Sequence, residues 1–220
     1  VNLASDSSKC GLQAGDQMTL QDLLYGLMLR SGNDAAIAIA EHISGSVEAF
    51  VDLMNQEAQQ LGATGSHFMN PNGLPDMMNQ RAQELGCVNT HFVNASGMPD
   101  ENHYTTVYDL YLIFQKALQD ETFYQLISTS SYTTNYTAAD GSAKTQDWSS
   151  TNQYKTGESK LPDGFTLVGG KTGTTGDAGF CLVLLTDNAG GQPVISIVLK
   201  ADCKSNLYLM MNEILAGCGN

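Results

Sequence analysis

Two short segments carry side chains that could bind a substrate or activate it. Residues 169–175 read Gly-Gly-Lys-Thr-Gly-Thr-Thr and follow a short run of β-forming residues. A lysine ammonium, a threonine hydroxyl and backbone N–H groups beside small residues can bind a carboxylate and stabilise a developing oxyanion. The second segment, Ser31-Gly32-Asn33, offers a hydroxyl and an amide at a predicted helix junction, although these residue types are also ordinary at helix ends.

The Gly-Lys-Thr sequence at 170–172 does not form the nucleotide-binding P-loop pattern. That pattern needs a glycine at position 165, which is Phe165. On these residues alone, a glycine-rich turn with a solvated lysine remains an open alternative to a binding strand. A second Lys-Thr-Gly, at 155–157, lies in a polar stretch, and we interpret it as unrelated to binding.

The first part of the chain is predicted to be helical. Thr19 and Asp22 have the spacing of a capping box, and apolar residues recur at helical spacing from Leu20 to Arg30. Three further helices are predicted. One lies at about 35–44, one begins after the cap Ser46 and continues along an apolar stripe to Leu61, and one lies at about 106–118.

The later part of the chain changes to the spacing of strands. Strands are predicted at 131–137, 165–168, 178–186 and 193–200, with turns at 139–142 and 187–191, and a last helix is predicted at about 205–216. Helices first, strands next and a helix last predict an α+β fold rather than an alternating one.

Residues 54–76 recur with substitutions as residues 78–100. The motif Met-Asn-Gln begins both copies, and Leu61-Gly62 returns as Leu85-Gly86. Two copies are too few for a solenoid, so we interpret the repeat as a tandem duplication within one domain. The extra copy must pack outside the fold, extend a helix or be exchanged between molecules. We expect the apolar residues of both copies, including Leu85, Phe92 and Val93, to be buried.

The composition excludes several classes of function. The chain has 220 residues, 42% of them hydrophobic, and a formal net charge of −13, which disfavours nucleic acid and anionic membranes as partners. No apolar run is long enough to span a membrane, and the first residues do not have the pattern of a signal peptide.

The cysteine and histidine residues do not suggest a metal site. Five cysteines occur without a Cys-x-x-Cys pair, so we predict no metal and no cofactor. Free thiols and up to two disulfides, in fifteen arrangements, are both compatible with the sequence. His67, His91 and His103 lie in the repeated turn region, and we expect surface or helix-end roles for them.

Taken together, the motifs closely resemble those of the low-molecular-weight D-alanyl-D-alanine carboxypeptidases, which are penicillin-binding serine peptidases. The resemblance extends from about Leu20 to Leu215, and its main segments are residues 30–36, 50–55, 85–86, 89–94 and 170–173. It implies a transpeptidase/β-lactamase-like α+β fold, with an antiparallel sheet flanked by helices and a helical lobe that carries Ser31 and Asn33. We therefore expect a single domain over 1–220, with a helical lobe at about 19–127, a sheet part at about 128–220, and a cleft between them.

The same resemblance implies roles for individual residues. Ser31 would belong to the proton-relay network, and Asn33 would hydrogen-bond the substrate amide. Lys171, Thr172 and Gly173 would bind the terminal carboxylate of a peptidoglycan stem peptide or of a β-lactam, and the Thr174 N–H would form half of the oxyanion hole. The family also implies a location in the cell envelope, outside the cytoplasmic membrane.

One part of the family signature is absent from these residues. An acylating member needs Ser-x-x-Lys, in which the lysine takes the serine proton, and no lysine of the chain has a serine three residues before it. We therefore expect the N-terminal part with the nucleophile and the first strands to be missing and the chain alone to be inactive. A sheet edge left uncovered would favour marginal stability, a dimer or a domain swap.

Two alternatives to the carboxypeptidase remain. A non-catalytic penicillin-binding-like protein would bind peptidoglycan or a partner without turnover. A class A β-lactamase would need a deacylating glutamate in Glu-x-x-Leu-Asn, whereas Glu158 has Leu161 at the correct spacing but Pro162 in the place of the asparagine.

Overall fold

The computed structural model describes residues 8–46, 49–50, 75–92 and 100–218. The chain forms two compact units, and each is described by itself. The first unit comprises Val1–Glu84, His91–Ser96 and Ser131–Ser149, and the second comprises Leu85–Thr90, Gly97–Ser130 and Ser150–Asn220. The expected division into a helical lobe and a sheet part stays a prediction, because this grouping places one β-hairpin with the first helices.

The first unit contains three described helices and a hairpin: α1 (Leu20–Arg30), α2 (Asn33–Ser44), α3 (Pro75–Glu84), β1 (Ser131–Thr137) and β2 (Ala143–Ser149). Both halves of the predicted capping box at Thr19 and Asp22 are present. Gly45 ends α2 with a φ of 80°, a left-handed conformation that suits glycine. The Ser46 hydroxyl accepts a hydrogen bond from the Ala49 N–H at 3.0 Å, which confirms the predicted cap; the remainder of that predicted helix lies outside the described residues.

The hairpin packs against α1 in the first unit. β1 and β2 pair in an antiparallel register, with Tyr132 opposite Trp148. The Trp148 side chain is 1% exposed, and the Tyr132 ring stacks on Tyr25 of α1 at 3.9 Å between centroids. The Tyr132 hydroxyl also donates to Asp22 at 2.8 Å, so the beginning of α1 is fastened to the hairpin.

The second unit contains four described helices and a three-stranded antiparallel sheet: α4 (Val107–Ala117), α5 (Glu121–Ser128), α6 (Gln153–Thr156), β3 (Phe165–Thr175), β4 (Gly179–Asn188), β5 (Pro193–Ala201) and α7 (Lys204–Cys218). The strand order is β3-β4-β5. Strand β3 runs well beyond the predicted 165–168 segment, so the Lys-Thr-Gly motif lies inside the strand. Helices α5 and α6 were not predicted.

One face of the sheet and α7 enclose the core of the second unit. Buried apolar residues of α7 meet those of β4 and β5: Leu207, Tyr208, Met211 and Leu215 pack with Leu182, Leu184 and Val198. Helix α5 contacts β3, and α4 contacts β5. The sheet that carries the motif is therefore supported by helices along its length.

The second copy of the repeat is only partly described. Helix α3 stops shortly before Gly86, whose φ of 83° is the left-handed conformation that suits glycine after a helix. Cys87 is 1% exposed, whereas Leu85 and Phe92 are half-buried, so the expected burial is partial at these two side chains. Val93 and the first copy, apart from Pro75 and Asp76, lie outside the described residues.

All five cysteines are free thiols, so of the two alternatives left open by the sequence, free thiols or disulfides, the structure has the first. Among the described helices, none is long and apolar enough to cross a membrane.

Candidate functional site

The Lys-Thr-Gly segment lies on β3, the first strand in the sheet order, where it pairs with β4. Thr172 is opposite Leu182, and Gly173 is opposite Cys181. A Cβ atom on Gly170 would lie 2.4 Å from the Val183 carbonyl oxygen, so only glycine allows the backbone to approach this closely. The glycine before the lysine is therefore a packing requirement of the sheet.

Gly173, in contrast to Gly170, has open space beside its Cα atom. A Cβ atom built on it would meet no heavy atom within 4 Å. Thr174, the next residue, is exposed. The backbone of β3 is thus open to an approaching ligand at the point where the sequence predicts an oxyanion donor.

The Lys171 side chain is half-buried. Its Nζ atom donates to the Thr172 carbonyl oxygen at 2.7 Å, and burial lowers its pKa to about 8. A cavity of about 340 Å³ lies beside it within the second unit, and its lining includes Leu110, Ile113, Phe114, Phe123, Val183 and Leu199. An ammonium group beside so much apolar surface is poorly solvated, which favours pairing with an anion.

Thr172 has a partner that the sequence did not indicate. Its hydroxyl is hydrogen bonded to the hydroxyl of Thr151, which lies just before α6. Thr151 is exposed. The hydroxyl of the Lys-Thr-Gly motif therefore has a second hydroxyl next to it.

Ser31 and Asn33 lie together at the junction of α1 and α2, in the first unit. Ser31 ends α1 in the left-handed conformation, with φ 53° and ψ 42°, and its N–H donates to the Gly26 carbonyl oxygen. Such a conformation is uncommon for a residue other than glycine. A Cβ on Gly32 would lie 2.9 Å from both Cys10 Sγ and Asp34 Oδ1, so any larger residue here would displace the thiol or the carboxylate.

Asn33 holds the segment that precedes α1. Its backbone N–H and its Nδ2 both donate to the Ser8 carbonyl oxygen, at 3.0 and 3.2 Å. Asp34 accepts hydrogen bonds from the backbone N–H groups of residues 10–12, at 2.9, 2.9 and 3.0 Å. Asn33 and Asp34 thus fasten the same segment, residues 8–12, which sets the orientation of the Asn33 amide.

The charge of Asp34 is stabilised by these donors. Burial alone would raise the pKa of this carboxyl, but the hydrogen bonds from Cys10, Leu12 and Gly11 lower it below its usual value. Burial and the neighbouring Asp34 raise the pKa of the Cys10 thiol to about 12. Cys10 is therefore a protonated thiol that donates to Asp34, at 3.2 Å.

Comparison with known proteins connects both segments to one family. The model of the D-alanyl-D-alanine carboxypeptidase family (Peptidase_S11) matches residues 1–77 and 75–203, which together include both motifs. The chain belongs to this family. The two matches meet where the first copy of the repeat ends and the second begins.

Individual carboxypeptidases support the assignment. The chain is 31% identical over 213 residues to DacF of Bacillus subtilis, covering 94% of this chain and 44% of the relative. It is 34% identical over 206 residues to the D-alanyl-D-alanine carboxypeptidase of Streptomyces sp. (strain K15), covering 90% of this chain and 60% of the relative. The chain thus spans about half the length of these curated relatives.

The fold of the chain also matches solved structures of this family. The crystal structure of the Streptomyces K15 DD-transpeptidase aligns with a TM-score of 0.72 and 29% identity, over 96% of this chain and 71% of that chain. The carboxypeptidase from Mycobacterium tuberculosis H37Rv aligns with a TM-score of 0.65 at 23% identity, which adds support for the fold alone. The predicted transpeptidase-like α+β fold is confirmed.

The remaining residues singled out in the sequence lie outside these two segments. His91 is exposed, His103 is half-buried, and His67 lies outside the described residues. Lys155 of the second Lys-Thr-Gly lies in the short helix α6 rather than within a strand, and its Nζ donates to the carbonyl oxygens of Ile127 and Thr129. Within the described ranges, no cluster of histidine, cysteine and acidic side chains is placed to hold a metal ion.

Proposed function

We propose that the protein with this sequence is a serine-type D-Ala-D-Ala carboxypeptidase module that recognises peptidoglycan stem peptides and β-lactams. One observation carries the proposal: Lys171, Thr172 and the open backbone at Gly173 occur consecutively on β3. An extended peptide that ends in a carboxylate fits the chemistry of this segment. Family members are cell-envelope enzymes, and we place the action of this chain outside the cytoplasmic membrane.

Each predicted residue has a role in this proposal. The Lys171 ammonium and the Thr172 hydroxyl hold the terminal carboxylate of the stem peptide. The Thr174 N–H donates to the oxyanion that develops when the penultimate carbonyl is attacked. Asn33 donates to the substrate amide, and Ser31 takes part in moving the proton from the nucleophile to the leaving D-alanine amine.

The residues present support binding without turnover by this chain alone. Attack on the carbonyl needs a serine activated by a lysine one helical turn away, and the 220 residues contain no Ser-x-x-Lys. The duplicated segment, residues 54–76 and 78–100, favours the second candidate, a penicillin-binding-like protein that binds stem peptides and does not hydrolyse them, because the additional copy provides surface for an interface. Association through the repeat or the sheet edge is a further part of the proposal, and light scattering tests it.

Labelling with a fluorescent penicillin tests the proposed function. We expect the complete gene product to be acylated and the 220-residue chain to remain unlabelled. Lys171→Met and Thr172→Val should abolish labelling of the complete product, whereas Thr166→Val, an exposed threonine on the same strand, should not. Complete product that stays unlabelled but binds penicillin reversibly would favour the non-catalytic candidate, and a product that does neither would contradict both.

A further inference from the structure

The segment that leads into α6 places a hydroxyl group beside the Lys-Thr-Gly strand. The side-chain oxygens of Thr151 and Thr172 are hydrogen bonded to each other. Thr151 is exposed and Thr172 is half-buried, so a ligand can reach this pair from solvent. The two residues are far apart along the chain, and only the fold makes them neighbours.

The residues on either side of Thr151 hold it in place. The Ser150 N–H donates to the Ser130 carbonyl oxygen at 2.8 Å. Asn152 is 1% exposed, and its side-chain oxygen caps α6 by accepting from the Tyr154 N–H at 3.1 Å. Because both neighbours are hydrogen bonded, the backbone at Thr151 is held where its hydroxyl reaches Thr172 of β3.

Two adjacent hydroxyls match the two oxygens of a carboxylate. Each threonine hydroxyl has one proton to donate and can also accept. In the unliganded pair, one proton is used between Thr151 and Thr172. When a carboxylate arrives, both hydroxyls can rotate and donate, one to each oxygen, while the Lys171 ammonium supplies the opposite charge.

We propose that Thr151 is a second hydroxyl ligand, beside Thr172, for the terminal carboxylate of a peptide bound along β3. The inference rests on the proposed function, which brings such a carboxylate to Lys171 and Thr172. It adds a residue outside the Lys-Thr-Gly motif that discriminates a free carboxylate from a carboxamide. A carboxamide terminus carries no charge and has an NH₂ donor in place of the second oxygen, so the two hydroxyls cannot each donate to a separate terminal oxygen.

A titration with two peptides tests this role. The isotope-labelled chain is titrated with N-acetyl-D-Ala-D-Ala and with the same peptide ending in a carboxamide, and the amide signals of β3 are followed by NMR. Thr151→Val and Thr151→Ala remove the hydroxyl, Thr151→Ser keeps it, and Thr166→Val is the matched control. We expect the two hydroxyl-free variants to bind the acid about ten-fold more weakly than wild type, and the amide equally well. Thr151→Ser and Thr166→Val should bind both peptides like wild type.

The outcomes separate this inference from the function on which it rests. Wild-type affinity of Thr151→Val for the acid, together with weak binding by Thr172→Val, would overturn the role of Thr151 and leave the proposed function standing. An equal loss of acid and amide binding in Thr151→Val would overturn it as well, because Thr151 would then shape the strand rather than bind the carboxylate. A wild-type chain that binds both peptides equally, or neither, would contradict carboxylate recognition itself and the inference with it.

Discussion

The Nζ atom of Lys155 donates a 2.7 Å hydrogen bond to the carbonyl oxygen of Thr129 and a second hydrogen bond to that of Ile127. These bonds satisfy carbonyl groups at the C-terminal end of α5, which otherwise have no partner within the helix. The Ile127 carbonyl oxygen also lies 2.6 Å from the position of a Cβ atom on Gly169. The second Lys-Thr-Gly thus has a structural role close to the beginning of the binding strand.

Replacement of this lysine should destabilise the fold. We expect Lys155→Met to lower the free energy of unfolding by about 1–3 kcal/mol, because two carbonyl groups lose a largely buried donor. Urea unfolding followed by circular dichroism measures the change. Lys160→Met is the control, since Lys160 is exposed and should change stability by less than about 0.5 kcal/mol. Equal stability of the two variants would contradict the role given to Lys155.

The hydrogen bonds that the Asp34 carboxylate accepts from residues 10–12 should make the stability of the fold depend on pH. The pKa of Asp34 is lowered in the folded chain, so its ionised form stabilises the fold above the unfolded pKa of about 3.9. That contribution is lost as the pH falls through the lowered folded pKa. We expect Asp34→Asn to cost about 2 kcal/mol at pH 6 and progressively less towards pH 3.

Urea unfolding between pH 3 and pH 7 tests the Asp34 prediction. The exposed Asp163 provides the control Asp163→Asn, which should follow the wild-type curve. A constant difference between wild type and Asp34→Asn over the whole range would show that the carboxylate charge does not contribute.

Carboxylate binding should weaken in alkaline solution. Burial lowers the pKa of Lys171 to about 8, so the free protein loses this positive charge as the pH rises through that value. A bound carboxylate favours the charged lysine and raises its pKa in the complex, so the loss of affinity continues until the pH exceeds that higher pKa.

Titration with N-acetyl-D-Ala-D-Ala between pH 6.5 and pH 10 measures this effect. Lys171→Met should bind weakly and show no such pH dependence. A flat profile for the wild-type chain would mean that the lysine charge does not hold the carboxylate.

Two glycines of β3 should respond differently to the same substitution. Gly170→Ala forces a Cβ to within 2.4 Å of the Val183 carbonyl oxygen, and we expect a loss of at least about 2 kcal/mol of stability. Gly173→Ala meets nothing within 4 Å, so it should fold normally and weaken peptide binding by occupying the open side of the strand. Thermal unfolding and peptide titration of both variants check the pair. A Gly173→Ala variant that is destabilised but binds peptide normally would show that Gly173 is needed for packing rather than for peptide access.

Local patterns predicted most of the elements that hold the site. The capping box at Thr19 marked the start of α1 correctly, because capping depends on residues close in sequence. Helix α5 has a comparable capping signal, since the Asp120 side chain accepts a hydrogen bond from the Phe123 N–H. The helix is too short for a clear apolar periodicity, so it was not predicted. Helix α6 has only four residues and depends on the buried Asn152 and Tyr154, so tertiary packing determines it.

The neighbours of the predicted site residues were beyond the reach of sequence patterns. Asp34 binds backbone groups of residues 10–12, which local spacing does not connect with it. Thr151 meets Thr172 only because the segment before α6 runs beside β3. Motifs identified Ser31, Asn33 and Lys171 as candidates, whereas the groups that orient them follow from long-range packing.

The hydrogen bond between Ser150 and Ser130 has a consequence for protein engineering. These residues of the second unit flank the β1–β2 hairpin in sequence, and the bond joins the two points where the chain departs and returns. A very short linker can therefore join the same two points, since the loop-closure entropy of such a junction is small, but the hairpin has to be replaced rather than deleted because Trp148 is buried in the first unit. Homologous hairpins could be transplanted at the same seam, which makes residues 131–149 an exchangeable cassette for shuffling between carboxypeptidases.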